Sequence, residues 1–325
     1  MAKLVKVTHK IPENGVKMLK DAGFDVEVFP EAQPMSHADL LKFVKGADAL
    51  ISLLFDKIDS AVLDAAGSQL KIVANYAVGF DNVDLQAASE RKIFVTNTPH
   101  PTISDAVAEH TFALMNNLAR RIDESDRFVR AGKYKGFDPD LMLGESLEGK
   151  IVGIVGLGRI GSEVARHASG GFGMKVLYND IKRNEEFEAT YAAKFEEKIE
   201  DLLPKADFVT LHVPLLPATQ HLMNKDRFKL MKKSAFLINT SRGPVVEEAA
   251  LVWALQKKLI AGAGLDVYEF EPKIAKELLA KENVILTPHT ASATVEAREA
   301  MAEVAAANVI AALKGETPEN IINHK

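Results

Sequence analysis

The chain has 325 residues, of which 47% are hydrophobic and 26% are charged, and its formal net charge is -5. The proportions are ordinary for a globular protein, and the length favours two domains. The weakly acidic balance provides no electrostatic basis for binding nucleic acid or an anionic membrane. Cysteine is absent, which excludes disulfides, thiolate metal sites and a cysteine nucleophile. The sequence predicts neither a signal peptide nor a membrane span, so we expect a cytoplasmic protein.

The first part of the chain alternates apolar runs with amphipathic segments. Strands are predicted at residues 3–8, 24–29, 49–54, 70–75 and 93–96. Helices are predicted between them, at residues 12–22, 36–45, 59–66 and 85–90. This alternation is typical of a parallel sheet with helices on both faces. This part of the chain contains no Gly-x-Gly-x-x-Gly motif, the glycine fingerprint described below for residues 156–161.

A connecting region follows, in which prolines interrupt the alternation before a helix predicted at residues 104–121. Residues 128–150 are polar and contain several glycines. They could form an arm that packs on a second subunit. His110, on the predicted helix, is interpreted as a packing or surface residue.

The stretch at residues 150–161 reads KIVGIVGLGRIG, a strand followed by a glycine turn into a helix. Gly156 permits the tight turn, Gly158 lets the backbone approach a pyrophosphate, and Gly161 lets the helix pack on the strand. Such a motif is weak evidence by itself, because glycine turns also occur without a nucleotide. A second strand ends before Asp180, about 20 residues later, where a carboxylate can bind ribose hydroxyls. Together they predict a dinucleotide site.

Asp180 favours NAD over NADP, because a carboxylate at this position would repel a 2′-phosphate. Lys182 and Arg183 follow closely, so use of NADP stays open. Further strands are predicted at residues 175–179, 208–213, 235–239, 260–266 and 284–287, and a last long helix at 292–313. The glycine-rich residues 169–173 suggest that the helix after the fingerprint ends early.

Three residues at predicted strand ends form a workable set for reducing a 2-keto acid. Arg242 can bind a carboxylate through two parallel hydrogen bonds. His289 can give a proton to the keto oxygen, and Glu271 can orient the imidazole and favour its charged form. No metal constellation stands out in the sequence, so no metal site is predicted.

The sequence resembles the D-isomer-specific 2-hydroxyacid dehydrogenase family over nearly its whole length, most closely the glyoxylate and hydroxypyruvate reductases. Seven segments in the same order carry the resemblance: residues 75–84, 105–109, 156–161, 211–214, 239–244, 264–272 and 288–289. It implies two doubly wound parallel-sheet α/β domains. A Rossmann NAD-binding domain, residues 100–290, is inserted in a flavodoxin-like substrate domain formed by residues 1–99 and completed by 291–325. It also implies a homodimer formed through the NAD domain.

The resemblance further implies roles for individual residues. Arg242, Glu271 and His289 would be catalytic. The cofactor would contact Ser104, Gly156, Gly158, Arg159, Ile160, Gly161, Asp180, Val213, Thr240 and Asp266. The substrate would contact Leu54, Val78, Gly79, Arg242 and His289, with the backbone amides of Val78 and Gly79 helping to hold its carboxylate.

Two positions depart from the family pattern. His100 stands where relatives often have glycine, which bears on hinge geometry or substrate shape, and Phe137 stands where a tryptophan is common. The loop at residues 52–56 lacks an arginine for a phosphorylated substrate. It favours a small or apolar 2-keto acid, and Phe55 suits either glyoxylate and hydroxypyruvate or a larger substrate such as phenylpyruvate.

Two other functions share this fold. Formate dehydrogenases pair the histidine with glutamine, and Glu271 argues against that activity. A non-enzymatic NAD-sensing module is the other alternative, which the intact catalytic set disfavours.

Overall fold

The computed structural model describes residues 2–31 and 33–323. They fold into two compact units: one contains the chain up to Ile103 and again from Ala293 onward, and the other is Ser104–Ser292. Each unit contains a parallel sheet flanked by helices, which confirms the predicted fold class. The assignment of substrate binding to the first unit and of NAD binding to the second stays a prediction.

The first unit contains a five-stranded sheet in the order β2-β1-β3-β4-β5, with every pair parallel. Its strands are β1 (Leu4–Val7), β2 (Asp25–Val28), β3 (Ala49–Leu53), β4 (Ile72–Tyr76) and β5 (Phe94–Thr96). The order 2-1-3-4-5 is that of flavodoxin-like doubly wound sheets. The strand β4 is buried along its whole length, as a strand covered on both faces should be.

Four helices connect these strands, and a fifth returns from the far end of the chain. They are α1 (Glu13–Asp21), α2 (His37–Phe43), α3 (Ser60–Ala66), α4 (Leu85–Glu90) and α13 (Val295–Lys314). Side chains of Ser36, Asp59, Asp84 and Thr294 cap the amino ends of α2, α3, α4 and α13. A Cβ built on Gly15 would lie 2.7 Å from the carbonyl oxygen of Ala302, so α1 and α13 pack too closely there for a larger residue.

The second unit contains a seven-stranded parallel sheet in the order β12-β11-β10-β9-β6-β7-β8. Its strands are β6 (Ile151–Val155), β7 (Lys175–Asn179), β8 (Lys194–Phe195), β9 (Phe208–Leu211), β10 (Phe236–Asn239), β11 (Gly262–Leu265) and β12 (Val284–Leu286). The strand order reverses between β6 and β9, and ligands of doubly wound sheets bind at such a reversal. The glycine turn follows β6 and therefore lies at that point.

Helices cover both faces of this sheet. They are α5 (Pro101–Arg120), α6 (Ile122–Arg130), α7 (Arg159–Phe172), α8 (Glu185–Tyr191), α9 (Ile199–Leu202), α10 (Lys225–Phe228), α11 (Glu248–Gln256) and α12 (Lys276–Leu279). One apolar cluster includes Val209, Leu237 and Leu251, and another includes Phe112, Ile154 and Val164. The described helices include none long and apolar enough to cross a membrane.

One local prediction was wrong, and two elements were not predicted. The helix after the fingerprint does not end early: α7 runs through the glycines to Phe172 and stops at Gly173, which is left-handed with φ 59°. Phe172 stacks on Phe112, with ring centroids 4.7 Å apart, and this packing supports the last turn. Helix α6 was not predicted, because none of its residues is buried. The two-residue strand β8 was also missed, since it lies in a charged run.

Candidate active site

The three predicted catalytic residues follow three neighbouring parallel strands of the second unit. Arg242 follows β10, Glu271 follows β11, and His289 follows β12. The register pairs Asn239 with Leu265, and Leu265 with Leu286. Because parallel strands end at the same sheet edge, the loops that carry these residues start side by side.

His289 and Glu271 form the central contact of this edge. Nδ1 of His289 lies 3.0 Å from Oε2 of Glu271, and the backbone amide of Tyr268 donates to Oε1 of the same carboxylate at 3.0 Å. The two side chains stay 27% and 32% exposed, respectively. Glu271 therefore fixes one ring nitrogen of an imidazole that still reaches solvent.

The carboxyl of Glu271 is held in its ionised form. Burial, the largest single effect, raises the pKa of Glu271, but the hydrogen bond and charge of His289, the Tyr268 amide and the charge of Arg242 together lower it more. The net effect is a pKa below the usual value of 4.5. An ionised carboxylate accepts a hydrogen bond from Nδ1 and so fixes the orientation of the imidazole.

The backbone at His289 is left-handed, with φ 56°. This conformation is unusual for a residue other than glycine and costs about 1–3 kcal/mol. Its amide donates to the carbonyl oxygens of Asp266 at 2.9 Å and Thr287 at 3.1 Å. The neighbouring loop thus holds His289 in a conformation that it would not adopt alone.

The Asp266 side chain holds the loop that carries His289 through hydrogen bonds. Its carboxylate is fully buried and accepts from the Thr287 hydroxyl at 2.6 Å and from the amides of Thr290 and Ala291, both at 2.8 Å. His110 Nε2 lies 3.0 Å from the same Thr287 hydroxyl. His110, interpreted from the sequence as a packing or surface residue, therefore joins a buried network beside the catalytic loop. No local pattern could reveal this contact, because Thr287 lies 177 residues further along the chain.

Arg242 is positioned by its own loop. The buried Asn239 side chain donates to the Arg242 carbonyl oxygen at 2.9 Å, and its Oδ1 accepts from the Ser241 amide and hydroxyl. A Cβ on Gly243 would lie 1.8 Å from the Tyr268 carbonyl oxygen, so only glycine lets the β10 and β11 loops approach this closely. The positive charge of Arg242 lowers the pKa of Glu271, so the two side chains interact electrostatically.

The glycine turn fits a dinucleotide on structural grounds. Gly156 is left-handed with φ 96°, and a Cβ on Gly161 would lie 2.0 Å from the Gly156 carbonyl oxygen. A Cβ on Gly158 would meet no atom within 4 Å, which leaves open space over the turn. Helix α7 begins at Arg159 without a side-chain cap, so its first amides are available for a pyrophosphate.

The other residues predicted to contact the cofactor lie at several places in the second unit. The Asp180 carboxylate accepts from the Leu157 amide at 2.6 Å, and Ile160 lies in the first turn of α7. Thr240 and Ser104 are 7% exposed, and the Thr240 hydroxyl lies 3.1 Å from that of Thr111. The Asp266 carboxylate is occupied by its own loop, so the structure gives it a positioning role whatever it contributes to the cofactor.

The remaining substrate candidates belong to the first unit. Leu54 follows β3, and Val78 and Gly79 follow β4. Asn97 donates to the Val78 carbonyl oxygen at 2.7 Å, and Asn75 donates to that of Gly79 at 2.9 Å. The carbonyls of Val78 and Gly79 are therefore held by buried asparagines, as a loop that presents its amides requires.

The loop after β3 contains a buried acid that the sequence analysis did not identify. Asp56 is 3% exposed and accepts from the Thr8 hydroxyl at 2.5 Å and the Leu53 amide at 2.8 Å. Burial raises the pKa of Asp56. Its contacts fix the turn that carries Leu54 and the 43% exposed Phe55.

One group among the described residues has the spacing of metal ligands: Asp105, Glu163 and His167. The guanidinium of Arg166 donates to Asp105 at 2.8 Å and to Glu163 at 2.6 Å. The positively charged Arg166 side chain thus pairs with both carboxylates, so this cluster is an ion-pair network on the surface.

Comparisons with known proteins agree with this geometry. Residues 112–291 match the family model for the NAD-binding domain of D-isomer specific 2-hydroxyacid dehydrogenases. The chain is 49% identical to a glyoxylate reductase of Thermococcus kodakarensis over 323 residues, covering 98% of this chain and 96% of that enzyme.

Two solved structures share the fold. A protein of Thermus thermophilus is 42% identical, with a TM-score of 0.91 and coverage of 98% of this chain and 99% of its own. An NADPH-dependent glyoxylate/hydroxypyruvate reductase of Sinorhizobium meliloti, crystallised with NADP and malonate, is 31% identical, with a TM-score of 0.87 and coverage of 99% and 97%. The chain therefore belongs to the D-isomer-specific 2-hydroxyacid dehydrogenase family and is an NAD-dependent oxidoreductase similar to glyoxylate reductases.

Proposed function

We propose that this enzyme reduces a small 2-keto acid of the glyoxylate or hydroxypyruvate type to the corresponding D-2-hydroxyacid. The observation that carries the proposal is the pair formed by His289 and Glu271, 3.0 Å apart at the ends of two neighbouring strands. Known relatives named glyoxylate reductase, 49% identical over nearly the whole chain, support the same substrate class.

The residues divide the work of the reaction. The reduced nicotinamide, when bound, supplies a hydride to the carbonyl carbon. Nδ1 of His289 is engaged by Glu271, so Nε2 is the nitrogen that gives a proton to the keto oxygen, and the same atom recovers it in the reverse direction. Arg242 binds the substrate carboxylate, and its planar guanidinium fixes the orientation of the carbonyl.

The proposal also includes the other residues predicted to contact the substrate. The amides of Val78 and Gly79 help to hold the carboxylate, and Leu54 contacts the side of the substrate. Phe55 is 43% exposed and can stack on an aromatic substituent, which keeps larger 2-keto acids such as phenylpyruvate as the second candidate. The absence of an arginine from residues 52–56 disfavours a phosphorylated substrate.

We also propose a homodimer formed through the NAD domain. Apolar side chains of the second unit stay exposed in the predicted arm: Tyr134 is 54% exposed, Phe137 90% and Leu143 63%. Large apolar side chains exposed within one segment favour an association surface. Light scattering should give twice the mass of one chain, and a Phe137→Ser variant should weaken the association.

The activity is tested by a panel of 2-keto acids followed through NADH absorbance. Glyoxylate and hydroxypyruvate should be reduced fastest, phenylpyruvate tests the second candidate, and formate with NAD should give no signal. Glycolate is achiral, so the configuration of the product has to be determined on glycerate formed from hydroxypyruvate. D-Glycerate is expected, and L-glycerate would contradict the proposed geometry of hydride and proton delivery.

A further inference from the structure

The loop between β7 and α8 contains one carboxylate and two cations, Asp180, Lys182 and Arg183. In doubly wound dinucleotide sites an acid after the second strand binds the ribose hydroxyls, whereas a nearby arginine accommodates a 2′-phosphate. The availability of each charge therefore decides which nucleotide binds better. This choice between nucleotides rests on the proposed function and on the prediction from the sequence that Asp180 lies at the adenosine ribose.

Arg183 is already engaged within the protein. Its Nε donates to Oε1 of Glu188 at 2.9 Å, and its Nη2 donates to Oε2 of the same carboxylate at 2.7 Å. This is the bidentate pairing in which arginine binds carboxylates and phosphates most strongly. A second carboxylate, Glu185, lies 3.7 Å from Nη1.

Glu188 is in turn fixed from the other side. The Tyr178 hydroxyl donates to its Oε1 at 2.8 Å, and the same hydroxyl accepts from the Asn184 amide at 2.8 Å. Tyr178 is fully buried and the Glu188 side chain is 16% exposed. Glu188 is thus anchored to the core, and a guanidinium paired with it cannot move without breaking both charge-assisted bonds.

The charges of this pair persist over the whole physiological range. The hydrogen bond from Arg183, and then that from Tyr178, lowers the pKa of Glu188 to about 2, and Glu188 raises the pKa of Arg183. Lys182 is exposed, but an ammonium is a point charge that lacks the planar fork of arginine. Arg183 is therefore the residue of the loop best suited to a 2′-phosphate, but its guanidinium is already paired with Glu188.

We propose that Glu188 is a specificity-determining residue that withholds Arg183 from the nucleotide and so makes the enzyme prefer NADH to NADPH. The Asp180 carboxylate repels the 2′-phosphate. Glu188 deprives that phosphate of Arg183, the side chain of the loop best suited to bind it. The two effects are separable, because they arise from different side chains, Asp180 in the loop and Glu188 on α8.

The test measures nucleotide binding without any keto acid, by fluorescence of NADH and NADPH and by competition with 2′,5′-ADP. Glu188→Gln keeps the size of the side chain and an acceptor for Tyr178, but it removes the charge that holds Arg183. We expect NADPH and 2′,5′-ADP to bind about tenfold more tightly, as one recovered charge-assisted hydrogen bond would give. NADH affinity should change by less than about twofold. The matched control, Glu186→Gln, removes an exposed carboxylate from the same helix and should change neither affinity.

Arg183→Gln completes a double-mutant cycle with Glu188→Gln. In the native background it should leave NADPH affinity unchanged, because the guanidinium is already occupied, and in the Glu188→Gln background it should cancel the gain. The inference is overturned if folded Glu188→Gln protein binds NADPH no better, or if the gain survives loss of Arg183. Failure of the native protein to bind NADH would instead reject the nucleotide site itself. A keto-acid panel without turnover, with nucleotide binding intact, would reject only the proposed reaction.

Discussion

Nδ1 of His289 lies 3.0 Å from Oε2 of Glu271, while the Tyr268 amide holds the other carboxylate oxygen. The imidazole is thereby oriented by a carboxylate that stays ionised at neutral pH, because its pKa is below the usual 4.5. Glu271 is a positioning residue in this account, since it acts on the substrate only through His289.

Glu271→Gln should lower kcat for keto-acid reduction by about tenfold to a hundredfold, because the imidazolium loses its charged partner. KM should change less than kcat. The exposed Glu277 provides a control, and Glu277→Gln should leave both kcat and KM unchanged; a native kcat in folded Glu271→Gln protein would argue against the role.

Asp266→Asn should both destabilise the protein and slow the reaction. The buried carboxylate accepts from Thr287, Thr290 and Ala291, and an amide offers only one acceptor oxygen to them. An unsatisfied buried group costs about 1–3 kcal/mol. The loop that holds His289 at φ 56° should loosen, and kcat should fall with little change in NADH affinity. Asp226→Asn, at a side chain 87% exposed, should leave both the denaturation midpoint and kcat unchanged.

Alanine substitutions of two fingerprint glycines should affect stability and cofactor binding separately. Gly161→Ala places a methyl 2.0 Å from a backbone oxygen and should destabilise the NAD domain by at least about 1–3 kcal/mol. Gly158→Ala meets no atom, so the stability should stay within about 1 kcal/mol of the native value. Its methyl would still obstruct a pyrophosphate, and NADH should bind at least about tenfold more weakly. Native NADH affinity in Gly158→Ala would show that the cofactor does not approach this turn.

His212 should make stability depend on pH. Burial lowers its pKa from 6.5 to about 3, so the folded protein keeps the ring neutral where the unfolded chain binds a proton. The contribution is constant above about pH 6.5, and stability is lost as the pH falls from there toward 3, by about 1.4 kcal/mol per pH unit. Urea unfolding at pH 7.5 and 5.5 should show this loss, and His212→Gln should remove about 1.4 kcal/mol of it. An NMR titration that places the pKa of His212 near its usual value would contradict the prediction.

The fold could be predicted because its signals are local: alternating apolar runs predict strands and helices. Arg242, Glu271 and His289 each lie in a loop after a recognisable strand, which brings them to one sheet edge, and their catalytic roles stay a prediction. The contacts between distant segments could not be predicted in this way. Phe172 extends α7 by packing on Phe112, and His110 reaches Thr287 across the fold. Such contacts depend on side chains that the sequence pattern alone does not bring together.

The most direct measurement of the central claim compares NADH binding and turnover in His289→Asn. Asparagine removes the proton donor but leaves the glycine turn, Asp180 and Arg242 in place. We predict that glyoxylate reduction falls at least about a hundredfold, as loss of general acid catalysis does, while NADH binds within about twofold of the native affinity. Turnover close to that of the native enzyme, or loss of NADH binding together with turnover, would contradict the assignment of His289 as the proton donor.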